Sequence, residues 1–196
     1  NERNRIIEPD DVTDGVKFTN CVIDANKVDL NNPMLVKHEG TIMEIKVKGI
    51  DPRGGRATVE MDWSYTLNLN SHERTGVIDI GSYFIAYFFP RITVYDDVDG
   101  WDEFPYLGQQ ETYFDNASFN VHITVPRNFM VWATGDLQNP AEVLHESVLK
   151  KWTLAQQSNK PVFLIDSADI QNKTVTVNKK FNTFQFKCTT PDFVFA

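Results

Sequence analysis

Three histidines in this chain are followed directly by glutamate: His38-Glu39, His72-Glu73 and His145-Glu146. A helical zinc peptidase site needs a second histidine four residues after the first, with the glutamate beside the first as general base. The positions at that spacing hold Ile42, Gly76 and Leu149, none of them a ligand. The remaining histidine, His122, lies in the alternating run FNVHITV, which predicts a strand position facing solvent or a neighbour. The acidic run Asp96-Asp97-Val98-Asp99-Gly100 has the look of a calcium loop. With Gly100 at the sixth position, however, Tyr95 and Tyr106 fall at the first and twelfth, where carboxylates belong. The run reads as a solvated turn. There is no G-x-S-x-G elbow, P-loop or G-x-G-x-x-G. Carboxylates abound, but sequence does not fix which two meet, so a glycosidase pair is neither supported nor excluded. No catalytic or metal-ligating residue is predicted within the chain.

The elements that would position any site are strands. The 196 residues are 41% hydrophobic, with 14 Phe, 6 Tyr and 4 Trp to fill a core. Strand-like runs are Val16 to Ile23, Thr41 to Lys48 and Ala57 to Leu69, the last with Val59, Met61, Trp63, Tyr65 and Leu67 alternating. Val77 to Pro90 follows, bent at Gly81. Phe119 to Val125, Phe129 to Thr134, Pro161 to Ile165, Thr174 to Val177 and Phe181 to Phe186 complete the set. Between them, Pro90 to Leu107 is a long connection rich in Asp, Gly and Pro, of a length that is often functional. One helix is predicted over residues 140–157, with Asn139 as N-cap, Pro140 at the first position and Lys150-Lys151 toward its C-terminal end. The fold class expected is mainly β, an antiparallel β-sandwich or saddle-like sheets with that one helix. A polar arm over residues 1–15 precedes a single β domain over 16–196, with no boundary legible inside it.

The formal charge of −8, from 27 acidic and 19 basic residues, argues against nucleic acid or an anionic membrane as partner. No run approaches the length of a membrane span. The first residues, NERNRIIEPDD, carry neither an initiating Met nor a signal peptide, the pattern of a mature or excised segment. Cys21 and Cys188 could close a long loop in an oxidising compartment, but two cysteines do not make a disulfide framework, and the favoured reading is two reduced, buried thiols.

The stretch YFFPRITVYDDVDGWDEFPYLGQQETYFDNASFNVHITVPRNFMVWATGDLQNPAEVL, Tyr87 to Leu144, resembles the N-terminal domain of bacterial zinc metallopeptidases of the aminopeptidase N-like family, the gluzincins. Three phrases carry the likeness: YFFPRITVYDDVDGWD, with its aromatic-Pro segment and Gly-Trp turn; Gly108 to Pro126; and WATGDLQNPAEVL. In the second, Glu111-Thr112-Tyr113 keeps the family's Glu and Tyr but not its Phe, and Asn116-Ala117 stands in place of a Phe-Gly pair.

The resemblance implies that the zinc motif, HExxH, lies in the next domain of the parent, that this chain alone is not an enzyme, and that zinc is a cofactor only of the missing catalytic domain. It implies a domain that packs on its own catalytic domain and helps close the peptide-binding cleft, in a periplasmic, cell-envelope or secreted bacterial protein. A Gln from this domain often holds the free amino end of the peptide substrate. The T-Q-x-Q phrase that carries it is absent, and Gln109, Gln110 and Glu111 are the nearest equivalents. The family's first strands are also missing before Phe18, which implies an open sheet edge able to pair with another chain. The alternative is a free-standing β-sandwich module binding a glycan or a protein through Trp101, Phe104 and Tyr106. The apolar ending PDFVFA favours a chain cut in mid-course over such a module. A parent whose zinc motif has decayed stays open as a third reading.

Overall fold

The computed structural model describes residues 12–47, 49–51, 53–69, 75–106 and 114–196. In chain order the elements are β1 (Lys17–Ile23), β2 (Asn26–Lys27), β3 (Val36–Glu39), β4 (Ile42–Ile45), β5 (Val59–Ser64), β6 (Thr75–Asp79), β7 (Ser82–Ile85), β8 (Tyr95–Asp96), β9 (Gly100–Trp101), β10 (Ala117–Pro126) and β11 (Asp136–Leu137). Helices α1 (Pro140–Val143), α2 (Glu146–Gln157) and α3 (Ser167–Gln171) and the strand β12 (Phe181–Thr190) follow. The chain is mainly β with antiparallel sheets, strand outweighing helix threefold at 36% against 12% of the described residues. Packing groups the chain into two compact units. Unit 1 is Asn1–Gly81 with Pro90–Phe114, and unit 2 is Ser82–Phe89 with Asp115–Ala196.

In unit 1, β1 is the central strand between β2 and β5. Its register with β5 runs from Lys17↔Ser64 to Ile23↔Val59, with a bulge between Phe18 and Asn20. The tight turn into β2 puts two non-glycine residues, Asp24 and Ala25, at positive φ. That conformation suits the primed turns of two-residue hairpins. Thr58, just before β5, holds it in place: the Asp24 N–H donates to the Thr58 carbonyl at 3.0 Å, and the Thr58 N–H donates to the Asp24 carboxylate at 2.8 Å. β3 and β4 form a second hairpin, Val36↔Ile45 to Glu39↔Ile42.

Unit 2 is built on a ladder of ten residues against ten, β10 with β12, from Ala117↔Thr190 to Pro126↔Phe181. Because strand side chains alternate in facing, Phe119, Val121, Ile123 and Val125 share a face with Phe184, Phe186 and Cys188. β11 pairs with the other edge of β12 at Asp136↔Lys187 and Leu137↔Phe186. Over this face lies the core: Ile123, Val131, Val143, Leu144, Val148, Phe184, Phe186 and Phe193. Asn182 sits on the same face at 1% exposure. Its Nδ2 donates to Thr176 Oγ1 at 3.2 Å and to the Val177 carbonyl at 3.4 Å, while its Oδ1 is buried with no partner among the described residues.

The predicted helix over 140–157 is two helices. Leu144 is extended (φ −86, ψ 139) and bridges Thr176, while the Val177 N–H donates to the Val143 carbonyl and the His145 N–H to the Val175 carbonyl. That cross-chain pairing stops α1, and His145 restarts the chain as the N-cap of α2, accepting from the Ser147 N–H. Asn139 does not cap α1 with its side chain. It is turned toward β12 instead, where its Nδ2 donates to the Thr183 carbonyl at 3.0 Å and its Oδ1 accepts from the Gln185 N–H at 3.0 Å. Lys150 and Lys151 are not in the last turn of α2. Lys150 pairs with Glu146 at 2.7 Å, and Lys151 reaches Asp169 at 2.8 Å and Asp166 at 3.4 Å.

Other boundaries also shift. The strand over Ala57 to Leu69 is confined to β5, and Pro161 to Ile165 is not a strand. Thr174 to Val177 contributes a single bridge at Thr176. Phe129 to Thr134 is likewise not a strand in its own right. Its end pairs with the last residues of the chain, where Trp132 and Ala196 exchange both hydrogen bonds and the Thr134 N–H donates to the Val194 carbonyl. The apolar phrase PDFVFA is thus used inside unit 2, with Phe193 fully buried.

α3 has no counterpart in the predicted elements. Asp166 and Asp169 form its capping box, each carboxylate accepting the other residue's backbone N–H. The Lys151 ammonium, and after it the Asp166 N–H, hold the Asp169 carboxyl below the usual carboxylate range. A depressed carboxyl stabilises the fold above its unfolded pKa, near 4, and that contribution is lost as pH falls through the folded value. We expect Asp169→Asn to lower the melting temperature of unit 2 at pH 7 and to do so much less at pH 3. An equal loss at both pH values would show that the charge plays no part.

Candidate functional site

The described residues of the long connection after Pro90 are organised by one hairpin and the chain that leaves it. Val94, 7% exposed, anchors its base. β8 and β9 pair at Tyr95↔Trp101 and Asp96↔Gly100. Asp96 Oδ1 accepts from the Val98 N–H at 2.9 Å and from the Asp99 N–H at 2.7 Å, while Gly100 takes the positive φ of 78° that closes the turn. The Asp102 N–H then donates to the Val94 carbonyl at 2.9 Å. The acidic run is therefore a turn whose first carboxylate is spent on its own backbone.

Past the hairpin, the Tyr106 N–H donates to Thr41 Oγ1 at 2.8 Å, in the turn between β3 and β4. Gly40 makes that approach possible, because a Cβ there would lie 3.0 Å from Pro105 Cβ. The backbone is tied down at both ends, and the side chains are left outside. Tyr95, Trp101, Phe104 and Tyr106 are 63%, 53%, 74% and 48% exposed. The rings of Tyr95 and Trp101 meet edge to face with centroids 5.1 Å apart. Trp101, Phe104 and Tyr106 are the aromatics the sequence singles out, and Tyr95 joins them through the β8–β9 register.

The substrate-binding residues implied by the resemblance, Gln109, Gln110 and Glu111, lie outside the described residues, as does His72-Glu73. His38 lies in β3 with its ring edge-on to Phe18, and its neighbour Glu39 pairs with Lys37 at 3.1 Å. His145 is occupied in capping α2, its Nδ1 sharing a hydrogen bond with Ser147 Oγ at 2.8 Å. His122 is an exposed position of β10, opposite Gln185. Among the described residues no three His, Cys, Asp or Glu side chains gather as a metal site would require. The described residues therefore do not fit a zinc ion. Both cysteines are free thiols, Cys21 buried and Cys188 partly so, and burial pushes both thiols up from their ordinary pKa. That places them away from the reactive thiolate range. Among the described residues no helix is long and apolar enough to cross a membrane.

A cleft of about 480 Å³ in unit 1 is lined by Phe18, Asn20, Lys27 and Asp29 among others. The aromatic hairpin brings four exposed rings together on one short segment of the described surface. No protein-family model, curated protein or solved structure matches the chain.

Proposed function

We propose that this chain is the non-catalytic N-terminal β domain of a zinc aminopeptidase-like metallopeptidase, packing on the catalytic domain and helping to close its peptide-binding cleft. The observation that carries the reading is the apolar surface of unit 1. Among its described hydrophobic side chains only Cys21 and Val94 are buried, while Met34, Ile78, Ile80, Ile92, Val98 and Phe104 stand between 60% and 99% exposed. Outward apolar side chains in this number suit a domain that another domain covers. The phrases YFFPRITVYDDVDGWD and WATGDLQNPAEVL support a peptidase catalytic domain as that cover. In this role the chain acts through geometry alone: cleft walls hold the peptide in register, with Gln109, Gln110 and Glu111 nearest its amino end. The parent is a periplasmic, envelope or secreted bacterial protein in this reading.

The purified chain is expected to carry far less than one zinc per molecule by metal analysis and to leave an aminoacyl reporter uncleaved. Cleavage that a chelator abolishes would overturn the proposal. A second reading, a free-standing β module for a glycan or a protein, is favoured by the exposed rings of the β8–β9 hairpin.

A further inference from the structure

We infer that the β8–β9 hairpin and the segment after it, residues 92–106, are a docking surface for a cationic protein segment, one that presents Arg or Lys side chains to Trp101 and its neighbours. The inference goes beyond the proposed place in a peptidase and stands without it.

Two independent properties of the segment converge. The first is the set of rings already described, Tyr95, Trp101, Phe104 and Tyr106, each about half exposed or more and held on a backbone anchored at Val94 and Thr41. Such rings on a fixed backbone lose little freedom when a partner covers them, and each presents a face to which a cation is attracted. The second is the charge around them. From Ile92 to Tyr106 the chain has five carboxylates, Asp96, Asp97, Asp99, Asp102 and Glu103, and no Lys or Arg. Asp96 and Asp102 are engaged by backbone amides of their own turns. Asp97, Asp99 and Glu103 are exposed. Lys37 lies near enough to Glu103 to feel its charge, and its ion pair is with Glu39 at 3.1 Å.

Charge complementarity selects the occupant. A strand of nucleic acid or an anionic bilayer is repelled by this rim. A neutral glycan would use the rings but gains nothing from the carboxylates. An Arg-bearing segment uses both, stacking its guanidinium on Trp101 while the rim neutralises it.

The test uses the full chain, isotope-labelled, followed through its Trp indole and hairpin amide signals. The probes are an alternating Arg-Gly decapeptide, a Glu-Gly decapeptide of the same length, and cellohexaose. The Arg-Gly peptide is expected to shift the Trp101 and Gly100 signals, with affinity falling on the order of tenfold between 0.05 M and 0.5 M salt. Trp101→Ala, and separately the paired Asp97→Asn and Asp99→Asn, are each expected to weaken binding about threefold to tenfold. All these positions are exposed, so the variants should keep the wild-type melting of unit 1, to which the hairpin belongs. No shift with the Arg-Gly peptide, equal shifts with the Glu-Gly peptide, binding of cellohexaose in its place, or unchanged affinity in both variants would each overturn the inference.

Discussion

Phe193→Ala is expected to destabilise unit 2 by about 3–5 kcal/mol, the cost of removing a fully buried ring that its surroundings cannot refill. The ring is the meeting point of the aromatic core. Its centroid lies 5.8 Å from that of Phe119 on β10, 6.5 Å from that of Phe186 on β12 and 6.3 Å from that of Phe88. It also seats the residues after it, since Val194 to Ala196 pair with Trp132, Thr134 and Ile85. Against the roughly 5–15 kcal/mol that holds an ordinary domain together, the loss takes a large share. Urea denaturation followed by near-ultraviolet circular dichroism would measure it. Phe193→Leu keeps much of the volume and is expected to cost about 1–1.5 kcal/mol. If alanine and leucine proved equally mild, the placing of Phe193 at the centre of the core would be wrong.

Gly135→Ala carries the second large effect, about 2–6 kcal/mol, from two causes that act together. Gly135 has φ +91, where an L side chain is strained by about 1–3 kcal/mol. A Cβ there would also lie 2.5 Å from the Lys187 carbonyl oxygen and 2.8 Å from Cys188 Cβ, so β11 would have to part from β12. Overpacking of that kind adds a similar amount. The two causes are separable. Asparagine tolerates positive φ better than alanine but still has a Cβ. Gly135→Asn should therefore be no milder than Gly135→Ala if the backbone contact dominates. A clear rescue by asparagine would assign the cost to φ alone.

What the sequence revealed of this fold was what neighbouring residues decide. The alternation from Phe119 to Val125 marks β10, Gly81 marks a turn, the acidic run marks the β8–β9 turn, and α2 ends at Gln157 as its pattern implies. What stayed hidden was decided at a distance. The break at Leu144 depends on a bridge to Thr176, and Asn139 leaves its cap to satisfy β12 at Thr183 and Gln185. Residues 132–134 owe their pairing to the chain's last residues, which no local window contains. α3 did leave a signal, an aspartate at the cap with another three residues on, but it is too short to show a helical period.

The candidate site divides in the same way. Trp101, Phe104 and Tyr106 stand out in sequence as aromatics in a polar connection, but that their rings face outward follows from the anchoring of Val94 and Tyr106. Gln109, Gln110 and Glu111 rest on the resemblance, since they lie outside the described residues.

The central claim, that this chain is one domain of a zinc aminopeptidase-like protein, is tested most directly by reading the coding sequence beyond Ala196. The account predicts an open frame that leads into an HExxH motif with a further glutamate downstream of it. A stop codon soon after Ala196, or a continuation without that motif, would contradict it and leave the aromatic hairpin of a stand-alone β module as the place to look for function.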